Sequence, residues 1–329
     1  MRLQKVSEMG KVFSKLLIVL LCFPFAGADA QNANNTSFKV MPLGIKGGLE
    51  ESNLSAYMIA PVGTNNFVCA DAGTIRYGIE KAVNNKAFKV KASEVFREYI
   101  KGYLVSHAHL DHVAGLIINS PEDTTKNIYA LPAVIDVLRD KYFTWQSWAN
   151  FADQGDKPLL NKYHYISLPE AGEMPLVNTG MNVKAFALSH SNPYQSTAFL
   201  LNSQDKYLLY LGDTGSDTLE KSDKLLRLWN YITPLIKGHQ LKAIFIEVSF
   251  PDEQPEKQLF GHLTPRLLMD EMAVLSNLCG AEALQTVSIV ITHIKPPTDS
   301  ELTIKKQLKT RNKLHLKLMY PVQGKMLYF

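Results

Sequence analysis

Four side chains of the kinds that bind metal ions crowd into six residues, His107-Ala108-His109-Leu110-Asp111-His112. The whole chain has nine histidines in 329 residues, and three of them lie in this segment. A polar loop of this length would contain about one histidine by chance, so structural needs alone seldom explain the density. The segment therefore predicts a metal-binding site, and it requires a fold that can hold several ligands rigidly.

The neighbouring residues predict how these side chains point. The apolar run 102–106 is rich in strand formers, and the residues from Asp111 onward have the pattern of a first helical turn. His107 and His109, two positions apart in an extended segment, point the same way and can share one cation. Asp111 and His112 are displaced toward a second position, so two adjacent metal sites are predicted. Imidazoles with a carboxylate suit zinc, manganese or iron better than calcium, and zinc is favoured.

Three polar residues that each follow a strand-like apolar run can complete the two sites: His190, Asp213 and His293. Strand ends gather at one edge of a sheet, where α/β enzymes collect residues that are distant in sequence. Taken alone, His190 or His293 would more often be an ordinary packed or surface histidine. Asp213 lies in the sequence Gly-Asp-Thr-Gly, so it is either a turn residue or a carboxylate that bridges two cations.

The full pattern, His-x-His-x-Asp-His followed by later His, Asp and His, resembles the ligand set of metallo-β-lactamase-fold hydrolases. Within that superfamily, the run HAHLDHVAGLIINSP at residues 107–121 is similar to the signature of the class II cyclic-nucleotide phosphodiesterases. The other matching landmarks are DAGT at 71–74, GDTG at 212–215, IEVS at 246–249, GHLTP at 261–265 and THIKP at 292–296. The resemblance spans residues 38–329.

The resemblance implies an α/β fold in which two mixed β-sheets lie between helical layers, the αββα sandwich. It also implies two divalent cations, with Zn²⁺ as the favoured metal and Asp213 bridging them. One cation would be held by His107, His109 and His190, and the other by Asp111, His112 and His293. The implied reaction is hydrolysis of 3′,5′-cyclic AMP, with cyclic GMP as an open second substrate, to the 5′-monophosphate by a hydroxide between the cations. A homodimer is expected from the family.

Two alternatives to this function stay open at the level of sequence. The first is another hydrolase of the same fold, acting on a β-lactam, a thioester, a lactone or RNA. The second is an exported zinc-binding protein without catalytic activity. Asp111 is predicted to be needed for catalysis as well as for metal binding, so loss of hydrolysis when it is replaced would separate an enzyme from such a protein.

Two further residues are predicted to support the reaction. His262 precedes a predicted helix start at Thr264-Pro265 and is the candidate general acid for the departing alkoxide. A role limited to supporting the helix start is equally consistent with its position. Asp71 follows an early strand, where it is either a turn residue or an acceptor that orients a ligand imidazole, and the second role is favoured. Glu247 also ends an apolar strand, and its role is left open.

Five aromatic rings lie within residues 142–151, YFTWQSWANF. Stacking of a base on such rings is worth about 1–3 kcal/mol. Trp145 and Trp148 are therefore predicted to line a purine pocket, with Asn150 reading the edge of the base. The competing interpretation is an aromatic helix face buried in the core or in a subunit interface, which is the more common arrangement.

The first thirty residues have the features of a secretory signal peptide. Lys11 and Lys15 precede about 10 apolar residues, half a membrane span, and Ala28-Asp29-Ala30 is a small-x-small cleavage site. We expect residues 31–329 to form one domain that is periplasmic or secreted, without a membrane anchor after cleavage. Removal of four basic and two acidic residues would lower the formal charge from +4 to +2. So small a surplus argues against a nucleic-acid-binding surface, and the expected partner is the small cyclic nucleotide.

Apolar periodicity and propensity by themselves predict an α/β chain. Strands are predicted near 54–60, 66–71, 102–106, 183–188, 197–202, 206–211, 243–248 and 287–292. Helices are predicted over about 131–149, 219–236, 265–278 and 299–309. Beyond the leader only Cys69 and Cys279 remain, so a disulfide scaffold is excluded and a single bridge stays open.

Overall fold

Two seven-stranded β-sheets lie face to face in the part of the chain that the computed structural model describes, residues 36–329. The first sheet contains β1 (Phe38–Gly44), β2 (Ala56–Pro61), β3 (Phe67–Ala70), β4 (Ile100–Leu104), β5 (Lys126–Ala130), β6 (Tyr163–Ser167) and β14 (Leu327–Tyr328). The second contains β7 (Glu173–Leu176), β8 (Met181–Ser189), β9 (Gln195–Ser203), β10 (Lys206–Leu211), β11 (Leu241–Glu247), β12 (Ser288–Thr292) and β13 (Lys317–Met319). Their spatial orders are β14-β1-β2-β3-β4-β5-β6 and β13-β12-β11-β10-β9-β8-β7.

Both sheets mix parallel and antiparallel neighbours. Strands β3 to β6 run parallel in the first sheet, as do β10 to β13 in the second. The other pairs are antiparallel. Because parallel strands point the same way, the carboxyl ends of each parallel group meet at one edge of its sheet.

Helices cover the outer faces of both sheets. They are α1 (Arg76–Asn84), α2 (Ala92–Glu94), α3 (Leu110–Asn119), α4 (Pro132–Val137), α5 (Asp217–Glu220), α6 (Lys224–Lys237), α7 (Pro265–Cys279), α8 (Ala281–Gln285) and α9 (Thr298–Arg311). In α6 the buried residues recur at helical spacing: Leu225, Leu228, Trp229, Ile232 and Ile236. The predicted start of α7 is confirmed, because Thr264 accepts a hydrogen bond from the Leu267 N–H and Pro265 opens the helix.

The apolar core of the described residues has three layers. The layer between the sheets contains rings such as Tyr57, Phe199 and Phe245. A second layer joins the first sheet to α1 and α3, and a third joins the second sheet to α6 and α7. The predicted α/β sandwich, two mixed sheets between helical layers, is confirmed. Residues 36–329 belong to one unit by their internal contacts.

The predicted helix over 131–149 is wrong in its second half. Helix α4 ends at Val137, a π-helical turn follows over Leu138–Tyr142, and the backbone then bends away. Trp145 has φ +62°, a left-handed conformation that an α-helix of L-residues cannot contain. The predicted helix over 219–236 is likewise interrupted, since Lys221 at φ +51° separates α5 from α6.

Strand β1 was not predicted, because its sequence FKVMPLG contains a proline and does not alternate. Six of its seven residues are buried, so there is no polar face to reveal a period of two. The pairing register with β2 shifts between Pro42 and Gly44, and this irregularity accommodates the proline. Strands β5, β6, β7, β13 and β14 are likewise absent from the sequence prediction.

The predicted leader, residues 1–30, lies outside the described residues. None of the helices in the described part of the chain has the length and apolar character needed to cross a membrane. Cys69 and Cys279 are both buried free thiols, so the bridge left open by the sequence does not form.

Candidate metal centre

The predicted site residues lie at the carboxyl ends of the parallel strands and in the turn that follows β4. Asp71 follows β3, His107 follows β4, Asp213 follows β10 and His293 follows β12. His190 follows β8, whose end lies at the same edge. His109 is the N-cap residue of α3, and Asp111 and His112 lie in its first turn. The sandwich thereby gathers residues that are up to 222 positions apart in sequence, from Asp71 to His293.

Three imidazoles form one half of the cluster. His107 Nε2 lies 3.1 Å from His109 Nδ1, and His190 Nε2 lies 3.3 Å from the same atom. Ligand atoms about 2.0–2.1 Å from a tetrahedral zinc ion are ~3.3 Å from one another. The spacing and the convergence of nitrogen atoms therefore fit a divalent cation held by these three histidines.

The other half contains two imidazoles and two carboxylates. His112 Nε2 lies 3.0 Å from His293 Nε2, which lies 3.2 Å from Asp111 Oδ2. Asp213 Oδ2 lies 3.3 Å from His112 Nε2 and 3.2 Å from His293 Nε2. The same oxygen is 3.7 Å from His107 Nε2 in the first half. Asp213 thus lies between the two groups, as a bridging ligand would.

The electrostatics of the cluster suit cation binding. Burial disfavours the ionised form of Asp213, but His293 and His112 outweigh it and hold the pKa of this carboxyl well below its usual range. Burial lowers the pKa of His107 and of His190, which keeps both imidazoles neutral and able to coordinate. Burial also opposes a charge on His112, yet the Asp213 and Asp71 carboxylates raise its pKa. The negative charge that stabilises a proton on His112 would equally stabilise a divalent cation bound to this imidazole.

Asp71 is fully buried beneath the cluster and orients His112. Its Oδ2 accepts hydrogen bonds from His112 Nδ1 at 2.8 Å, Tyr210 Oη at 2.7 Å and Ser106 Oγ at 2.8 Å. Its Oδ1 accepts the Ser106 backbone N–H at 2.8 Å. Asp71 was predicted to orient a ligand imidazole, and it contacts the outer nitrogen of His112, where a carboxylate fixes the tautomer and direction of the ring.

Three other ligand histidines also have a partner on the outer nitrogen. Ser106 Oγ lies 3.0 Å from His107 Nδ1, and Ser249 Oγ lies 2.9 Å from His293 Nδ1. His190 Nδ1 donates to the Gly261 carbonyl at 2.8 Å. Sequence reasoning missed Ser106, Ser249 and Gly261, although each lies within two residues of a predicted site residue or a strand end.

A glycine loop closes one side of the cluster and was also missed. The Gly48 N–H donates to Asp111 Oδ2 at 2.7 Å. Gly47 lies against the His293 ring, where a Cβ would be 2.2 Å from His293 Cε1. Any side chain at position 47 would displace this imidazole, so the close approach requires glycine.

His262 joins the cluster from the loop before α7. Its Nδ1 donates to Glu247 Oε1 at 2.7 Å, and only 3% of the residue is exposed. Glu247 also accepts from the Thr214 N–H at 3.0 Å and from Ser249 Oγ at 2.6 Å. Burial opposes a charge on His262, but the Glu247 carboxylate outweighs it and raises the pKa of the imidazole. Glu247 is therefore a buried supporting group rather than an exposed strand end.

His109 differs from the other ligand histidines. It is the exposed one of the five, and within residues 36–329 its Nε2 has no hydrogen-bond partner. Its ring instead stacks on Tyr194, with centroids 4.7 Å apart and planes inclined by 6°. Tyr142 Oη donates to the Ala108 carbonyl at 2.8 Å and supports the same turn. Neither tyrosine was singled out for this role from the sequence.

Replacing Tyr194 by leucine is expected to weaken the metal site that contains His109 by roughly 10-fold, the lower end for loss of a ligand's supporting partner. Tyr194→Phe keeps the stacking face and loses only the long hydrogen bond, 3.4 Å, that the Ala108 N–H donates to the phenol oxygen, so it should bind metal almost as tightly as the unaltered chain. Competition with a chromophoric chelator measures both affinities. Tyr77→Leu, in α1, is the control for loss of a half-exposed tyrosine. Equal weakening by leucine and phenylalanine would assign the effect to the phenol hydroxyl and contradict the stacking role.

The aromatic segment does not form the predicted base pocket. Asn150 is fully buried, and its amide donates to the Gln154 and Asp156 carbonyls at 2.9 and 2.8 Å. Its side chain holds its own loop and has no free edge for a base, so this prediction is corrected. The Trp148 indole donates to Ser120 Oγ at 3.0 Å and packs against the core of the first sheet. Trp145 is 43% exposed and donates to the Pro158 carbonyl. Since the segment is not helical, its rings do not share one face.

Comparison with known proteins identifies the family of this chain. A family model described as cAMP phosphodiesterases class-II matches residues 35–324. A 3′,5′-cyclic-nucleotide phosphodiesterase of Aliivibrio fischeri is 40% identical, over 96% of this chain and 99% of that protein. A probable 3′,5′-cyclic-nucleotide phosphodiesterase of Yersinia pestis is 34% identical, over 88% of this chain and 89% of that protein.

Solved structures agree with the fold. Unliganded yeast PDE1 superposes with a TM-score of 0.80 at 23% identity, covering 89% of this chain and all of that chain. The metallo-β-lactamase fold protein YhfI from Bacillus subtilis has a TM-score of 0.61 at 15% identity, with 89% of this chain and 100% of that one covered. The chain therefore has the metallo-β-lactamase fold and belongs to the class-II cAMP phosphodiesterase family.

Proposed function

We propose that the chain hydrolyses 3′,5′-cyclic AMP, and cyclic GMP as a second substrate, to the 5′-monophosphate with two divalent cations, both Zn²⁺. The observation that carries this proposal is the position of Asp213 Oδ2, within 4 Å of imidazoles from both ligand groups. When bound, two such cations acidify a water molecule and neutralise the phosphate of the substrate. Family membership supports a cyclic nucleotide as the substrate.

The residues of the chain have separate tasks in this reaction. Hydrolysis adds one water: a new P–O bond forms, the P–O3′ bond breaks, and O3′ leaves as an alkoxide that needs a proton. His107, His109 and His190 would hold one cation, and Asp111, His112 and His293 the other, with Asp213 shared. His262 would give the proton to O3′, since Glu247 holds its Nδ1 and leaves Nε2 without a protein partner among the described residues.

Product analysis tests the reaction directly. Purified protein is incubated with 3′,5′-cyclic AMP and zinc, beside a chelated sample and a sample with bis-(p-nitrophenyl) phosphate, and the products are separated by chromatography. We expect 5′-AMP that disappears on chelation and returns when zinc is restored. Cleavage of the generic diester without 5′-AMP would leave the hydrolase but overturn the cyclic-nucleotide substrate.

The role of His262 predicts a dependence on the leaving group. His262→Asn keeps a donor toward Glu247 and removes Nε2, so kcat on cyclic AMP should fall by roughly 10²–10⁴-fold. Hydrolysis of bis-(p-nitrophenyl) phosphate should change little, because nitrophenolate leaves without protonation. Steady-state rates on both substrates measure the difference. Equal losses on the two substrates would show that His262 supports the cluster rather than the leaving group.

We also propose that the protein is exported and acts outside the cytoplasm as a homodimer. The Lys11 and Lys15 region, the apolar run and Ala28-Asp29-Ala30 support export. Mass spectrometry of the protein from cell fractions tests it, with an N-terminus at Gln31 in the exported fraction as the expected result. Light scattering after size-exclusion chromatography tests the dimer.

A further inference from the structure

A cleft opens between the two sheets, beyond the ends of β5 and β6. Its volume is about 520 Å³, and its walls include Leu131, Leu168 and Pro169 from the first sheet and Ala187 and Gln195 from the second. Elsewhere the space between the sheets is filled by the apolar core. The carboxyl edge beyond β5, β6 and β8 is thus a place where a planar molecule can enter between the sheets.

The cleft lies next to the cluster in both sheets. Strand β4 leads into His107, and β5 and β6 are the next two strands in that sheet. In the other sheet β10 leads into Asp213, and β9 and β8 follow in the same direction. Neighbouring strands are about 4.8 Å apart, so the cleft begins roughly one to two spacings, about 5–10 Å, from the cluster. That separation suits a ribose between a phosphate at the metals and a base in the cleft.

Gln195 connects the cleft to the cluster. It pairs with Ser189 across β8 and β9, and His190 is the next residue after Ser189. Its other neighbour in sequence, Tyr194, stacks on His109. A substrate that places its phosphate near His109 and His190 therefore passes Tyr194 and meets Gln195.

The chemistry of the walls fits a nucleobase. Leu131, Pro169 and Ala187 offer apolar surface to the faces of the ring. The side chains of Gln195, Ser167 and Glu170 are exposed at the cleft and have no hydrogen-bond partner within residues 36–329. This differs from Asn150, whose amide is already used inside its loop.

We propose that this cleft binds the base of the substrate and that Gln195 reads its polar edge. The inference rests on the proposed hydrolysis of cyclic nucleotides and adds the subsite that recognises the base. A glutamine amide has a donor and an acceptor, and it pairs in two directions with adenine. When the amide group rotates by half a turn, its donor and acceptor exchange places and match the polar edge of guanine. One residue therefore accommodates both cyclic AMP and cyclic GMP.

The test compares a substrate that has a base with one that lacks it. In Gln195→Ala, KM for cyclic AMP should rise roughly 5- to 150-fold, the range for loss of a bidentate contact to a base. Hydrolysis of bis-(p-nitrophenyl) phosphate, which has no base, should be unchanged. Gln204→Ala is the matched control, because Gln204 is likewise an exposed glutamine of this strand region but follows the opposite end of β9, away from the cleft. Ala187→Phe, which fills the cleft, should raise KM for cyclic AMP in the same selective way.

A second measurement keeps this inference separate from the proposed function. Adenosine, which has a base but no phosphate, should inhibit hydrolysis of the generic diester, and Gln195→Ala should weaken that inhibition. Both results are expected even if the protein does not hydrolyse cyclic AMP. In that case the proposed function fails and the base subsite stands. Unchanged KM and unchanged adenosine inhibition in Gln195→Ala would overturn the base subsite. Parallel losses on cyclic AMP and the generic diester would overturn it too, since the residue would then support the metal centre.

Discussion

Asp213→Ala is expected to reduce hydrolysis of cyclic AMP by roughly 10²–10³-fold or more, the range for removal of one key electrostatic group. The reason is its position: one carboxylate oxygen lies within 4 Å of four imidazoles from both halves of the cluster. Without it, neither cation would have its full ligand set, and the carboxylate charge that would balance the two ions would be missing. Metal analysis should show a loss of bound zinc along with activity.

Asp270→Ala is the control for this substitution. Asp270 lies on α7 with a side chain that is 68% exposed, and its one ion pair within residues 36–329 is with Arg266 at 3.7 Å. Its removal should leave both the metal content and the rate unchanged. Circular dichroism checks that the Asp213 variant is folded. If that variant kept two zinc ions and most of its rate, the bridging role of Asp213 would be excluded.

Asp123→Ala is expected to reduce the free energy of unfolding by about 3–5 kcal/mol, the cost of leaving a buried charge without its partner. Asp123 and Lys126 form an ion pair in which each residue is 4% exposed. The carboxylate also accepts hydrogen bonds from Tyr103 Oη at 2.6 Å and Tyr163 Oη at 2.8 Å. The substitution leaves the Lys126 ammonium and two phenol hydroxyls buried in the first sheet without this carboxylate. The loss of stability therefore greatly exceeds that from one broken hydrogen bond.

Chemical denaturation measures this effect, with an unchanged slope against denaturant if the unfolded state is unaffected. Asp136→Ala is the control, since its carboxylate is 57% exposed in an ion pair with Arg139. Such a surface pair contributes at most about 1 kcal/mol. The double variant Asp123→Ala/Lys126→Met should recover part of the stability, because no charge is then buried. A loss below about 1 kcal/mol for Asp123→Ala would contradict the burial of the pair.

The metal ligands could be predicted from sequence because each is marked locally. His107, His109, Asp111 and His112 are adjacent, and the later ligands each follow an apolar strand whose end can be recognised. The structure brings all seven predicted ligands together, and it places Asp71 and His262 beside them. A strand end can be recognised from the few residues that precede and follow it in the sequence.

The base subsite could not be predicted in the same way. The aromatic run at 142–151 has the composition of a stacking surface, yet a left-handed residue at Trp145 and the loop held by Asn150 scatter its rings. The cleft with Gln195 has no compositional signal, because its walls come from four separate strand ends. Its polar side chains have no hydrogen-bond partner within residues 36–329, and this property is visible only in the folded structure.

The class of fold, the seven residues of the His/Asp cluster and the family resemblance could all be predicted from the sequence alone, since these depend on strand ends and on a short dense motif. The groups that support the side chains of the cluster became visible only in the folded chain: Tyr194 under His109, Ser249 behind His293, Glu247 behind His262 and Gly47 against the His293 ring. The physical reason is that ligand identity is a local chemical property, whereas orientation depends on contacts between residues far apart in the chain. Those contacts exist only after two sheets have packed and their strand ends have met at one edge.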